Sequence, residues 1–147
     1  TRQDMSAKSN VALVRHLYEE IDKGNEAILD EVFSPDFIDY DSGSTPKSPP
    51  GTAELKRGFE RFAAAFEDSE HVIEDIFAVG DKVVIRVLGR GIHRGEYMGV
   101  APTGKRVSMS AIAIYRIAKG KIVEEWSQVD RLEFYRQLGI VPPEGSR

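Results

Sequence analysis

Cysteine is missing from this 147-residue chain, which excludes disulfides, thiolate catalysis and sulfur-ligated metals together. Histidine is scarce: there are three, His16, His71 and His93. No two of them stand at i, i+2 or i, i+4, so no metal site is expected. No run of Lys or Arg exceeds two residues and the formal net charge is −4. Phosphate groups would find no basic footprint, so nucleic acid is not an expected partner. No apolar stretch approaches the roughly 18 residues of a membrane span, and no apolar leader segment precedes the first helix. The expectation is a cytoplasmic protein without a membrane partner.

What is present is ordinary for a globular protein: 41% hydrophobic and 30% charged residues. This length suits one domain with a real core and room for a small cavity. Residues 1–8 lack periodicity and read as a loose arm before a single domain, 9–147. Ser9 is placed to cap a helix whose apolar positions Val11, Val14, Leu17, Tyr18 and Ile21 recur at helical spacing, with Gly24 as the stop. A shorter helix follows from Asn25 to Val32 or Phe33, broken by Ser34-Pro35-Asp36 ahead of a short strand, 37–40. Residues 41–51 hold three prolines, two glycines and three serines and read as an exposed loop. Thr52 is placed to cap a third helix of about 16 residues with Leu55, Phe59, Phe62, Ala63 and Phe66 on one side.

Beyond Ser69 the pattern turns to long strands, with turns at Gly80-Asp81 and Lys119-Gly120, a longer connection over 95–104 and a closing helix. Helices first and meandering strands after argue for an α+β fold. Such long, few strands suit one strongly curved, mostly antiparallel sheet that needs helices to fill its concave side. In the run from Val107, one face carries Val107, Met109, Ala111, Ala113, Tyr115 and Ile117. The small alanines leave volume suited to a pocket wall. The opposite face carries Ile112 and Ile114, apolar enough for a homodimer contact of sheet against sheet.

Two apparent motifs fail on mechanism. Gly99 to Lys105 matches the first seven positions of a phosphate-binding loop, but the eighth is Arg106, not Ser/Thr, and a strand follows instead of a helix. Ser44-Thr45-Pro46-Lys47 has acyl-enzyme spacing but sits in the Pro-rich loop. His93 closes a strand near the expected pocket mouth, either solvated or a donor. Arg86 requires an acceptor, from a carboxylate partner or from substrate oxygen. Asp130 with Glu133 forms a capping-box arrangement, and Trp126 suits either core or an aromatic ligand.

His93 before Gly95, Gly104-Lys105-Arg106, Gly120-Lys121-Ile122, Trp126, Asp130 and Gln137-Leu138-Gly139 together resemble the SnoaL-like polyketide cyclase family, within the nuclear transport factor 2-like superfamily. The resemblance covers almost the whole chain. It implies an α+β cone with a deep apolar pocket, an oligomer, and cofactor-free work on an aromatic polyketide-like small molecule. In the resembling cyclases an Asp on the last strand removes a proton and a His or Asp projects from the preceding strand. Here the matching positions are Ser127 and Ala113.

Three readings follow from that departure. One is ring hydroxylation without metal or flavin, with His93, Arg86 and Ser127 as catalytic candidates and Ala113, Trp126, Met109, Tyr97, Asp39 and Asp130 around the substrate. A second keeps cyclisation or isomerisation with a base relocated to His93, Asp39 or Glu125. A third is a non-catalytic small-molecule-binding protein. The expectation leans to an enzyme, and among enzymes to the hydroxylase.

Overall fold

The computed structural model describes residues 2–41 and 48–141, with side chains from Ser6 onward. In chain order the elements are α1 (Arg2–Asp22), α2 (Ile28–Val32), β1 (Phe33–Asp39), α3 (Ala53–Ala65), β2 (Phe66–Val79), β3 (Lys82–His93), β4 (Arg106–Ala118), β5 (Lys121–Val129) and α4 (Arg131–Leu138). The strands form one curved sheet in the order β1-β5-β4-β3-β2. Every neighbouring pair is antiparallel except β1 with β5. The α+β expectation holds.

Several boundaries differ from the sequence reading, each for a local reason. The first helix starts at Arg2, so residues 2–8 are helical and do not form a loose arm. Ser34-Pro35-Asp36 does not break the chain before a strand but lies inside β1. A proline is tolerated there because β1 is an edge strand, and the register with β5 shifts between Phe33 and Ile38. Thr52 precedes α3, but its hydroxyl donates to Asp30 Oδ1 at 3.1 Å and makes no cap bond to the helix. The third helix ends at Ala65, and Phe66 already pairs with His93 across the sheet. Strand pairing overrides the helical pattern there. Most of the loop expected over 41–51, residues 42–47, lies outside the described residues.

Other local signals act as expected. Lys119 and Gly120, φ 52° and 74°, form the two-residue turn joining β4 to β5. Positive φ at both central positions matches the twist of a hairpin. Asp130 Oδ1 accepts the Glu133 N–H at 3.1 Å and caps α4. At the other end Gly139, φ 80°, takes the left-handed position that closes the helix.

The concave face of the sheet carries the core. Val83, Ile85 and Val87 of β3, with Ala113, Tyr115 and Ile117 of β4, pack against Val14 and Leu17 of α1 and against Ile28, Leu29 and Val32. A second cluster, Ala65, Phe66, Tyr97, Val107, Phe134 and Leu138, closes one end beneath α4 and the β3–β4 connection. The opposite sheet face is partly open, with Ile112 and Ile114 exposed.

Candidate active site

Between the helices and the concave sheet lies a cavity of about 640 Å³, within the roughly 300–1,000 Å³ usual for small-molecule sites. Its walls are largely apolar: Leu17 and Ile21 of α1, Leu55, Phe59 and Phe62 of α3, and Met109 of β4. The stripe predicted for the third helix therefore faces this space. The strand beneath it is bare at Gly89 and Gly91, which also line the cavity.

Three polar groupings are built into the apolar surround. The first is a dyad of Asp22 and His71. Asp22, the last residue of α1, accepts the His71 backbone N–H at 2.9 Å through Oδ2 and holds His71 Nδ1 at 2.6 Å through Oδ1. An ionised carboxylate can only accept, so Nδ1 carries a proton toward Asp22 and a neutral ring keeps its lone pair on Nε2. The ring rests on β3, where a Cβ at Gly89 would lie 3.5 Å from Nε2.

The second grouping is a hydroxyl pair. Tyr18 stands one helical turn before Asp22, so both project from the same face of α1. Its hydroxyl lies 2.6 Å from that of Tyr115 on β4, and its ring meets the His71 ring edge-on at 5.0 Å. Burial pushes both phenols above their ordinary value, so they remain neutral hydroxyls. Two hydroxyls share one bond, which leaves one O–H free to donate.

The third is Glu125, the cross-strand neighbour of Tyr115 on the same face. Burial, reinforced by the nearby carboxylates of Asp39 and Asp41, pushes its carboxyl up to about 8. At neutral pH Glu125 is predominantly a protonated acid and a donor. All five side chains, Tyr18, Asp22, His71, Tyr115 and Glu125, line the one cavity.

Of the candidate residues named from the sequence, Met109 and Glu125 line this cavity. Asp39 lies beside Glu125 in the β1–β5 register, and its Oδ1 accepts the Asp41 N–H at 3.0 Å. Burial first, then the Asp41 charge, raises its carboxyl above the usual value, against the lowering from that bond and from Arg131. Ala113 packs in the core and faces Ser127 across β4–β5; neither lines the cavity, and the Ser127 N–H is held by Asp41 Oδ2 at 3.1 Å. Tyr97 is buried in the second cluster, and His93 is fully buried behind Phe66.

Ala113, Ser127, Tyr97 and His93, expected around the substrate, do not line the cavity, and neither do Arg86, Trp126 and Asp130. Arg86 alternates with the inward Ile85 and Val87, so it projects from the outer sheet face, where Asp75 at 2.6 Å and Glu74 at 2.9 Å hold it. Of its two possible acceptors, the carboxylate partner is the one present. Trp126 is also outward, stacked on Tyr40 at 5.1 Å with Lys82 over its ring, away from the cavity. Asp130 caps α4, as its spacing with Glu133 predicts. Conversely, beyond the i, i+4 spacing of Tyr18 and Asp22, nothing local in the sequence marks His71, or Asp22, or the pairing of Tyr18 with Tyr115.

A concave sheet closed by helices over an apolar cavity is the nuclear transport factor 2-like α+β fold. Residues 12–138 match the SnoaL-like polyketide cyclase family, and the chain belongs to that family. It is 32% identical over 149 residues to the aklanonic acid methyl ester cyclase DnrD of Streptomyces peucetius, covering 95% of this chain and 98% of that one. Among solved structures, AclR of Streptomyces galilaeus, a proposed hydroxylase, superposes with a TM-score of 0.83 at 27% identity over 93% of this chain and 85% of AclR. IdmH of Streptomyces antibioticus, a proposed polyketide cyclase, gives a TM-score of 0.72 at 34% identity over 88% of this chain and 98% of IdmH.

Proposed function

We propose that this protein is a cofactor-independent polyketide cyclase whose acid–base groups have moved one row along the sheet. The observation that carries this reading is the inner-face row Tyr115–Glu125, adjacent to the row Ala113–Ser127. Where the resembling cyclases hold their working pair, this chain has an alanine and a serine. Two residues further toward the cavity it has a hydroxyl and a carboxyl. With the Asp22–His71 dyad on the same cavity, the set supplies a base and two donors.

In this reading His71 Nε2 removes a proton from a substrate carbon flanked by carbonyls, and Asp22 stabilises the resulting imidazolium through Nδ1–H. The free hydroxyl of the Tyr18–Tyr115 pair and the Glu125 carboxyl donate to the enolate oxygen. The carbanion attacks a second carbonyl of the same molecule, forming the new C–C bond. The alkoxide then takes a proton from Glu125, and the His71 proton restores the acid. No electron enters or leaves, so the product has the mass of the substrate.

A second reading has a specific support, the similarity to AclR over most of both chains. The same carbanion would instead take up dioxygen as a hydroperoxide at the deprotonated carbon; loss of water then leaves a carbonyl there, with one oxygen retained and the other released as water with two substrate hydrogens. One experiment separates the two. Incubate the protein with aklanonic acid methyl ester, the compound in the names of the cyclase relatives, in air and without oxygen, and weigh the products. A ring-closed isomer in both atmospheres is the expected result. A product with one oxygen more and two hydrogens fewer, formed only in air, would replace the cyclase with an oxygenase. Binding without turnover would leave only a carrier.

A further inference from the structure

Three lips edge the mouth of the cavity, and all are exposed: Lys23 and Gly24 after α1, Asp68 to Glu70 of β2, and Ala63 on α3. Two of them are locked to each other. Asp22 holds both the backbone and the ring of His71, which fixes the end of α1 to β2. The lip left to move is α3.

This helix is bound to the rest of the fold differently from α1. Val14 and Leu17 of α1 are buried, whereas the one residue that α3 buries is Ala65, its last. Leu55, Phe59 and Phe62 stay partly exposed, because the cavity and not packed core lies beneath them. Backbone bonds tie the two ends. Ahead of the helix the Gly51 N–H donates to the Phe37 carbonyl at 2.8 Å; behind it the Arg94 and Gly95 N–H groups donate to the Ala65 carbonyl, each at 2.9 Å. Along the flank one carboxylate acts as a clip: Asp30 of α2 accepts the Thr52 hydroxyl at 3.1 Å and pairs with Lys56 at 2.7 Å. The clip stands on a fixed base, since Lys121 Nζ donates to the Asp30 and Glu31 carbonyls at 3.2 and 2.7 Å. An exposed ion pair contributes little in water. A segment with little buried apolar surface and exposed ties belongs to the low-stability end of a fold.

We propose that α3 is a lid that rocks between its two backbone anchors, opening when the Asp30 clip releases and closing on a bound ligand. A ligand in the cavity supplies the apolar contact that Leu55, Phe59 and Phe62 lack, so occupancy and closure stabilise each other. The ligand that does this is an apolar molecule broad enough to reach α3; a small polar solute would leave the stripe wet. The proposal rests on the reading of this cavity as the substrate site, but it concerns entry and release and not turnover.

The chain has no cysteine, so a pair introduced as Asp30→Cys with Thr52→Cys can form one intramolecular disulfide that locks the clip. The test follows N-phenyl-1-naphthylamine, a neutral fluorophore bright only in apolar surroundings, by stopped flow with the full chain. Oxidising the variant is expected to slow both binding and release by about tenfold or more, and reduction to restore them. If the disulfide does not close, hydrogen exchange on the wild type decides alone. Amides of 53–64 should then exchange faster than those of 10–20 in α1, and should slow when the fluorophore is bound. Equal rates in the oxidised and reduced variant, α3 amides as protected as those of α1 in the free protein, or no binding of the fluorophore would overturn the proposal. None of these results touches the cyclase reading, which stands or falls on turnover of the ester and its dependence on His71.

Discussion

Glu125→Gln is the substitution with the most calculable outcome. Burial and the Asp39 and Asp41 charges hold the Glu125 carboxyl at about 8 in the folded state, against 4.5 for an ordinary glutamate. Between those values the unfolded chain releases a proton that the folded chain keeps. The unfolded state therefore binds fewer protons, and stability falls as pH rises. Below the unfolded value the wild type suffers no penalty from this group. The loss accumulates at roughly 1.4 kcal/mol per pH unit and levels off above the folded value, reaching on the order of 3–5 kcal/mol. For a chain of this size that is about 10 °C in Tm. Glutamine keeps the shape, retains a donor and cannot ionise. Melting curves of both proteins at half-unit steps from pH 5 to 9 should show the wild type losing about 10 °C more than the variant, with the divergence confined to pH 5–8. Parallel curves would mean that Glu125 ionises as an ordinary exposed carboxylate, and its role as a neutral acid would fall with them.

Further outcomes follow from the same geometry. His71→Ala should lower kcat on the ester substrate by about 10²–10⁴ while leaving Tm within a few degrees; unchanged kcat in a stopped assay would remove His71 from the chemistry. The pH–rate profile of the wild type should decline above about 8 as Glu125 ionises, and Glu125→Gln should flatten that limb at a lower plateau. Asp130→Ala should cost about 1 kcal/mol by urea denaturation, the worth of an N-cap, with no change in KM. Gly95→Ala places a Cβ 2.2 Å from the Ala64 carbonyl oxygen, a clash with backbone expected to cost more than about 2 kcal/mol, read as a lower urea midpoint. For the outer face we propose self-association through Ile112 and Ile114; Ile112→Glu should shift the sedimentation coefficient to that of the monomer, and an unchanged value would discard this contact.

The sequence made the scaffold legible where the signal is local. Asp130 with Glu133 marks a helix start, Lys119-Gly120 a hairpin, and the alternation from Val107 to Ile117 a strand with one buried face. Each is decided within a few residues. The start of β2 is different, because Phe66-Glu67-Asp68 continues a helical pattern and becomes strand only through pairing with β3. The candidate site is less legible still. Asp22 and His71 are 49 residues apart and meet through a bulged strand. Glu125 is one of three candidate bases in the sequence, and only the placement of Asp39 and Tyr115 beside it sets it apart. Arg86 misleads for the opposite reason: its neighbours in the chain are apolar on both sheet faces, so sequence alone does not say which way it points.

Asp22 is the final residue of α1, one turn beyond Tyr18, and it grips both the ring and the backbone of His71. This makes the helix a phase-sensitive ruler. Inserting or deleting one residue between Tyr18 and Asp22 would swing the carboxylate by about 100° and move it by about 1.5 Å along the axis. Substitutions on the outer side of α1 leave that phase intact. The segment 18–22 should therefore tolerate changes of residue but not of length, so an alignment gap there would identify a relative that has abandoned the dyad.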